Sequence, residues 1–363
     1  MQVHGRFPGR KGRFPAALSL LLALLGSMLS TAHAASIIEL EIEGPIGVAT
    51  ADYVDAGIEH AIDRDADLII INIDTPGGLV KPMRTIVQSI LASPVPVTVY
   101  VSPAGARADS AGTYILLAAH IAAMAPTTHL GAATPVPLVG GEDTSTEDQD
   151  STAMDRKVVN DAVSSIRALA ERYGRNADWA EKSVTEAATL TAAEALDNNV
   201  IDILATDRAD LLRQIDGREV MVANEARTLA TADAEVEQFL PDWRLRLLSA
   251  ISNPEIVVLL GLIGLYGLMY EGWNPGAIVP GVVGAICLLL AAYALQVLPV
   301  NYAGLALIIV GIVLMVAEAY APSFGALGVG GIAAFVFGTI IMFDSGVPGF
   351  GISYAFVTGT ALI

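Results

Sequence analysis

The chain has 363 residues, a formal net charge of −18 and 53% hydrophobic residues. Its one cysteine, Cys287, excludes an intrachain disulfide and a cysteine-based metal site, and an acidic balance without clustered Lys and Arg argues against nucleic acid as a partner. The average hides two unlike halves: no Lys or Arg follows Arg246, and of the 38 acidic residues only Glu255, Glu271, Glu318 and Asp344 lie beyond it.

At the start, Arg6, Arg10, Lys11 and Arg13 precede an apolar run from Ala16 to Leu29, and Ala32-His33-Ala34 has the small-x-small form of a cleavage site. Residues 1–34 therefore read as a secretory signal peptide, cleaved after Ala34, which directs the next domain to export. Residues 35–242 alternate strand-like and helix-like runs, the mark of an α/β fold. Ser36–Ile42 alternates as a strand, Tyr53–Asp65 is helical, Asp67–Ile73 is a buried strand, Met83–Ala92 is helical and Val97–Val101 is again a strand. After the second strand comes Asp74-Thr75-Pro76-Gly77-Gly78. Paired glycines there let the backbone N–H groups face a substrate carbonyl, although a Pro-Gly-Gly sequence is by itself only a turn.

Ser110 follows the third strand, in Arg107-Ala108-Asp109-Ser110-Ala111-Gly112, at the head of a helix-like run from Thr113 to Met124. A serine there has two readings: an N-cap, or a nucleophile whose oxyanion would meet free N–H groups and the positive end of the helix dipole. Serine chemistry needs a base. His120 falls nearly three turns along the same run, His129 lies in a turn that could in principle return, and Lys157 sits near the start of a long amphipathic helix. Lys157 is the stronger candidate, on the shoulder of a seam formed by Met154, Val158, Ala162, Ile166, Leu169 and Tyr173, where burial would disfavour its charged form. His60, His120 and His129 have no ligand spacing, so neither metal nor cofactor is expected. Small and apolar residues such as Leu79, Ala104, Ala106, Leu130, Ala132 and Ala133 offer no charged anchor, which favours aliphatic substrates.

Residues 243–254 begin Trp243-Arg244-Leu245-Arg246-Leu247-Leu248, a linker with the composition of an interfacial helix. Residues 255–363 read as a multi-pass membrane domain. Runs at Ile256–Tyr270, Ala277–Leu298, Ala303–Tyr320 and Phe324–Phe343 are span candidates, the first extending at its ends; Ile352–Ile363 is too short to cross, and an ending inside an apolar run suggests a C-terminal truncation.

Asp74-Thr75-Pro76-Gly77-Gly78, Ser110-Ala111-Gly112-Thr113-Tyr114, Met124-Ala125-Pro126 with Gly131-Ala132, Lys157-Val158-Val159-Asn160-Asp161, Gly174-Arg175-Asn176 and Ala195-Leu196-Asp197-Asn198-Asn199-Val200-Ile201-Asp202 together resemble the NfeD family of membrane-bound serine proteases. The resemblance runs in order from about Ser36 through the spans. It implies a crotonase- or ClpP-like β-superhelix followed by membrane helices, and a serine endopeptidase with a Ser-Lys dyad. Ser110 would be the nucleophile, Lys157 the general base, and the backbone N–H groups of Gly77, Gly78 and Ala111 the oxyanion hole. It further implies apolar substrate segments, notably of a stomatin-like (SPFH-type) partner, and a homodimer, while the signal peptide alone sets the orientation, with the protease domain on the extracytoplasmic, periplasmic face of the inner membrane. Asp109 departs from the pattern, since a negative charge opposes a nearby oxyanion unless it points away, and the acidic stretch Gly140–Asp150 lengthens the connection to Lys157. The family's small soluble C-terminal β-barrel is absent from the sequence. The rivals are a non-catalytic organiser that binds stomatin-like proteins, and thioester chemistry on the same fold. Ser110 and Lys157 together argue against both.

Overall fold

The computed structural model describes Met1 and residues 35–136, 149–223, 225–232, 234–321, 323–344, 346 and 350–361. Residues 2–34, within the segment read as a signal peptide, and residues 140–148 of the acidic stretch lie outside the described residues. Buried Ile- and Val-rich runs form the strands of a six-stranded sheet in the order β11-β1-β2-β3-β5-β8, with every pair parallel. These are β1 (Ser36–Glu43), β2 (Leu68–Asp74), β3 (Val97–Val101), β5 (Ile121–Met124), β8 (Ile203–Leu204) and β11 (Glu235–Gln238). Helices α1 (Val48–Asp63), α2 (Val80–Ala92) and α3 (Ala111–Ala118) supply the crossovers that parallel strands require.

A second, smaller layer arises as the chain leaves each central strand. After β1, Ile46 bridges Gly78; after β2, Thr75 bridges Ala108; after β3, β4 (Arg107–Asp109) pairs with β6 (His129–Gly131), which follows β5. Each turn of chain thus lays one strand in the large sheet and one short segment on the segment of the next turn, which is the step of a superhelix. Strand β7 (Thr189–Thr191) closes the layer against β6. Around it lie α4 (Gln149–Arg172), α5 (Ala177–Thr185), α6 (Ala192–Asp197) and α7 (Arg208–Ile215), and β9 (Glu219–Val222) with β10 (Glu225–Thr228) form a hairpin.

The run Thr113–Met124, read as one helix, is two elements. Helix α3 stops at Ala118, and residues 121–124 become the buried strand β5. A fully buried apolar run carries no periodicity to tell the two apart. The break is enforced from outside: the buried Arg175 guanidinium takes the carbonyls of Leu117 and Ala119, each at 2.9 Å, and pairs with Asp202 at 2.7 Å. His120 therefore does not lie along the helix. It opens β5, accepting the Val97 N–H on Nδ1 at 3.1 Å.

Beyond α8 (Trp243–Ile251), four helices among the described residues are long and apolar enough to cross a membrane: α9 (Pro254–Trp273), α10 (Ile278–Val297), α11 (Tyr302–Tyr320) and α12 (Ala326–Phe343). A short α13 (Tyr354–Ala361) comes after them. They pack as hairpins through glycines, as close helix approach in lipid requires. A Cβ on Gly304 would stand 2.3 Å from the Met342 nitrogen, and one on Gly284 would stand 2.7 Å from the Gly264 oxygen. Asn301 donates to the Met342 carbonyl at 2.9 Å and Ser353 to Glu255 at 3.4 Å. The starts of α9, α11 and α13 and the end of α12 thus share one end of the bundle, and Phe350 at that end lies against Gly47 of the α/β domain.

Burial, reinforced by Arg172 and Arg175, pushes the His120 imidazole down from 6.5 to about 4. Between those values the unfolded chain binds a proton that the folded one refuses. This contribution to stability is complete above about pH 6.5 and is lost as pH falls, to about 3 kcal/mol at the lower end. Thermal unfolding of the detergent-solubilised protein should show this decline towards low pH, and His120→Asn should flatten it. An unchanged slope in the variant would remove His120 as its source.

Candidate active site

Ser110 occupies the position before the first turn of α3, but its side chain makes no capping hydrogen bond. Its backbone has φ +52°, in the region that non-glycine residues rarely adopt. The conformation is held on both sides: the Ser110 N–H donates to the Gly131 carbonyl at 2.8 Å, and its own carbonyl accepts from Thr113 N–H at 3.0 Å. Buried Thr113 fastens the neighbouring strands, its hydroxyl donating towards the Ala108 carbonyl at 2.8 Å and the Gly131 carbonyl at 3.0 Å, and accepting from Gly131 N–H at 3.1 Å.

Gly77 faces this turn at close range. Its φ is +117°, and a Cβ there would lie 2.7 Å from Ser110 Cβ and 3.2 Å from Oγ, so only glycine fits. Its N–H is engaged by Thr75 Oγ1 at 3.1 Å. Of the two glycines, Gly78 therefore keeps its N–H: the bridge to Ile46 uses the Gly77 carbonyl and the Leu79 N–H, leaving the Gly78 amide on the other side of the chain. At the open first turn of α3, Ala111 and Gly112 likewise have N–H groups without a partner among the described residues.

Ser110, Gly78 and Ala111 open on a cavity of about 270 Å³ walled by α2 and α4. Val80, Met83 and Val87 come from α2, Val158, Ala162 and Leu169 from α4, and Tyr114, Ala133 and Pro135 complete an apolar lining. Of the small residues expected around the serine, only Ala133 lines it. The walls are larger side chains, and they include one charged pair, Arg84 and Asp161.

Lys157 stands on α4 one turn before Asp161, on the same ridge as Asp161 and Ser165. It is exposed in the single chain and is not among the residues that bound the cavity. The apolar seam explains why: it is buried from Ala162 through Ile166 to Leu169, whereas Met154 and Val158 beside Lys157 remain 62% and 47% exposed. The burial expected for this lysine is thus not supplied by the chain's own described residues.

Residues 36–239 match the NfeD1b N-terminal domain, and residues 255–363 match the NfeD integral membrane domain. The chain belongs to the NfeD family. It is 38% identical over 272 residues to a membrane-bound protease of Pyrococcus horikoshii, across 74% of this chain and 60% of the relative. It is 30% identical over 274 residues to membrane protein NfeD1b of Bacillus subtilis, across 75% and 59%. The chain therefore spans about three-fifths of the length of these relatives. Among solved structures, a serine-to-alanine mutant of a membrane-bound stomatin-specific protease matches with a TM-score of 0.52 at 36% identity, covering 58% of this chain and all of that one. A lysine-to-alanine mutant in complex with a substrate peptide matches with a TM-score of 0.52 at 35% identity, covering 60% and 98%. The α/β architecture of this NfeD domain is thus that of a solved protease, and membrane helices succeed it in the chain.

Asp109, the residue before Ser110, is mostly turned away from solvent, its side chain 17% exposed. Its carboxylate turns towards His129 Nε2 at 3.5 Å and an Arg107 nitrogen at 3.6 Å, and its Oδ1 is buried without a partner among the described residues. Desolvation pushes its pKa up, and the attractions of His129 and Arg107 only partly offset this. His129, the alternative base, is in this way engaged by a carboxylate. Because the ionised carboxylate is disfavoured by folding, its cost appears as pH rises through the ordinary Asp range and persists at neutral pH. Asp109→Asn should therefore leave the melting temperature at pH 7 unchanged or higher, and His129→Ala should lower it. A marked loss of stability in Asp109→Asn would refute this balance.

Proposed function

We propose that this chain is a membrane-anchored serine endopeptidase in which Ser110 attacks a peptide carbonyl and Lys157 is the general base. The observation that carries the reading is the state of Ser110: a strained, uncapped hydroxyl held beside an open helix turn and at the mouth of an apolar cavity, whereas a mere N-cap would use its oxygen on the helix. In the first step Ser110 Oγ bonds to the carbonyl carbon, its proton passes to neutral Lys157, and the carbonyl oxygen becomes an oxyanion. The N–H groups of Gly78 and Ala111 are the donors for that oxygen, with Gly77 shaping the turn while its own N–H serves Thr75. As the oxyanion collapses, the C–N bond breaks and Lys157 gives the proton to the leaving amine, so that acyl-Ser110 remains. Neutral Lys157 then takes a proton from water as the water oxygen bonds to the acyl carbon, and returns that proton to Ser110 Oγ as the ester bond breaks.

The substrates are apolar segments of membrane-associated proteins. A stomatin-like protein is the candidate, because the two solved relatives compared above are variants of a stomatin-specific protease. Two features support the class. The cavity is lined mainly by aliphatic side chains, and exposed Met154 and Val158 flank Lys157. An apolar segment laid over them would take the amine out of water, which disfavours its charged form. A homodimer is part of the same proposal and would add cover at the same place. Trp243 is largely exposed, with the Arg244 guanidinium 5.5 Å over its ring, which fits α8 as an interfacial helix that seats the domain on the extracytoplasmic surface.

Ser110→Ala and Lys157→Ala should each lower hydrolysis of an aliphatic-rich peptide by several orders of magnitude, with the double variant little worse than either, as for groups that act as a unit. Lys157→Arg should fail too, because guanidinium keeps its proton. Near-normal activity in Lys157→Ala together with loss in His129→Ala would replace the dyad by a Ser-His site, and a wild-type protein inert to serine-directed acylation would favour a scaffold. In spheroplasts, added protease should digest the domain ending near Asp242 and spare the Glu271–Pro275 turn; the opposite pattern would reverse the orientation.

A further inference from the structure

Strand β1, the start of α1 and helix α8 border a second cavity, of about 500 Å³, a size usual for small-ligand sites, which run from about 300 to 1,000 Å³. It shares no lining residue with the cavity beside Ser110. Its walls carry charges of both signs: Glu41 and Glu43 stand on one face of β1, and Arg246 comes from α8. These charges do not close on one another. Arg246 Nε donates to the Pro241 carbonyl at 2.9 Å, which holds the guanidinium in place, and its two terminal nitrogens have no partner among the described residues. The Glu43 carboxylate is likewise unpartnered there, and Glu41 meets only Gln238 Nε2, at 3.4 Å. Tyr53 braces the wall between them, its hydroxyl accepting from the Glu41 N–H at 3.2 Å and donating to the Phe239 carbonyl at 2.8 Å. Opposite charges held apart in one cleft are complementary to a ligand with the reverse pattern.

The position of α8 says where such a ligand comes from. Leu245, Arg246, Ser249 and Ala250 line the cavity, Leu248 and Ile251 belong to the hydrophobic cluster of the membrane helices, and Trp243 and Leu247 are exposed. Helix α8 touches α1 on one side and α9 and α10 on the other. The width of one helix, about 10 Å, thus separates the cavity from the end of the membrane bundle, and Leu240, also largely exposed, lies at its edge. Resting on the reading of α8 as an interfacial helix, we infer that this cavity binds the headgroup of a zwitterionic phospholipid that carries a primary amine, of the phosphatidylethanolamine class. Its phosphodiester takes the free N–H groups of Arg246, its ammonium donates to Glu41 and Glu43, and its acyl chains leave over Leu240. Other headgroups match less well. Choline has no N–H to donate, and an anionic glycerol headgroup leaves both carboxylates unpaired beside a negative charge.

The test gives the full-length protein in detergent equal amounts of phosphatidylethanolamine, phosphatidylcholine or phosphatidylglycerol, and native mass spectrometry measures the lipid retained. Wild type should hold phosphatidylethanolamine about tenfold more tightly than the other two, the size of one charge-assisted hydrogen bond. Arg246→Gln should weaken retention of all three. The double variant Glu41→Gln, Glu43→Gln, which probes the site independently of Arg246, should lose the preference and keep the phosphate contact. Arg244→Gln, outside the cavity, should match wild type. Equal retention of the three lipids by wild type, or an unchanged preference in both cavity variants, would overturn the site; displacement by equimolar soluble phosphoethanolamine would overturn its assignment to a lipid. The seat of α8 is checked separately in nanodiscs of brominated phosphatidylcholine, which should quench tryptophan fluorescence in wild type and less in Trp243→Phe. Quenching without a headgroup preference would overturn the site alone, and no quenching of Trp243 would overturn the interfacial helix and the site with it.

Discussion

The molecule depends on how closely two backbones approach: the Gly77-Gly78 turn against Ser110. A methyl group at Gly77 would overlap Ser110 Cβ, and one at Gly78 would stand 2.2 Å from the Ile46 carbonyl. The close fit is possible because the short second layer of the superhelix stacks consecutive chain turns directly on one another. It also explains the strain at Ser110. A residue at φ +52° relaxes unless its surroundings fix it, and here Gly131 takes its amide, Thr113 its carbonyl, and the Gly77 turn closes off the space beside its side chain. The same stacking leaves Gly78 and Ala111 with outward amides. The strained serine and the unused donors are therefore two results of one packing arrangement.

That arrangement is also tied to the membrane half. Leu79, the residue after the glycine pair, packs against the hydrophobic cluster of the membrane helices, and Phe350 lies on Gly47 at the entry to α1. The turn that shapes the site thus lies on the face that meets the end of the helical bundle. A substrate segment leaving the bilayer would have a short path to the cavity, whereas a soluble chain would first have to enter the membrane surface. Placement and lining favour the same class of substrate.

Much of this was legible in the sequence because its signals are local. Alternation identifies β1, continuous apolar runs identify β2 and β3, long uncharged runs identify the four spans, and the glycine pair and Ser110 stand out as breaks after strands. What escaped was set by distant parts of the chain. Nothing within Thr113–Met124 says where the helix stops, because the decision belongs to Arg175 and Asp202. The cavity walls join Arg84 to Asp161 across 77 residues, so neighbours of Ser110 in sequence were the wrong residues to consider as its lining. Thr75 and Thr113 stood inside the family motifs without a role, although a threonine three positions into a helix or two before a glycine is a local hydrogen-bonding signal.

The amphipathic seam of α4 is the most instructive departure. Its spacing is regular from Met154 to Tyr173, yet the chain buries only the part from Ala162 onward and leaves the turn bearing Lys157 in water. Periodicity records which face will be covered; it does not say by what. A helix whose apolar stripe continues past its own core has been selected to meet something outside the fold, and here that surplus surrounds the one residue whose proposed chemistry requires water to be excluded. In such a design the bound apolar segment completes the environment of the base. In the uncovered protein Lys157 stands in water, and only a ligand able to cover Met154 and Val158 would take its amine out of it. Selectivity for apolar segments and restraint towards ordinary polar chains would then arise from the same few exposed side chains, without any additional recognition element.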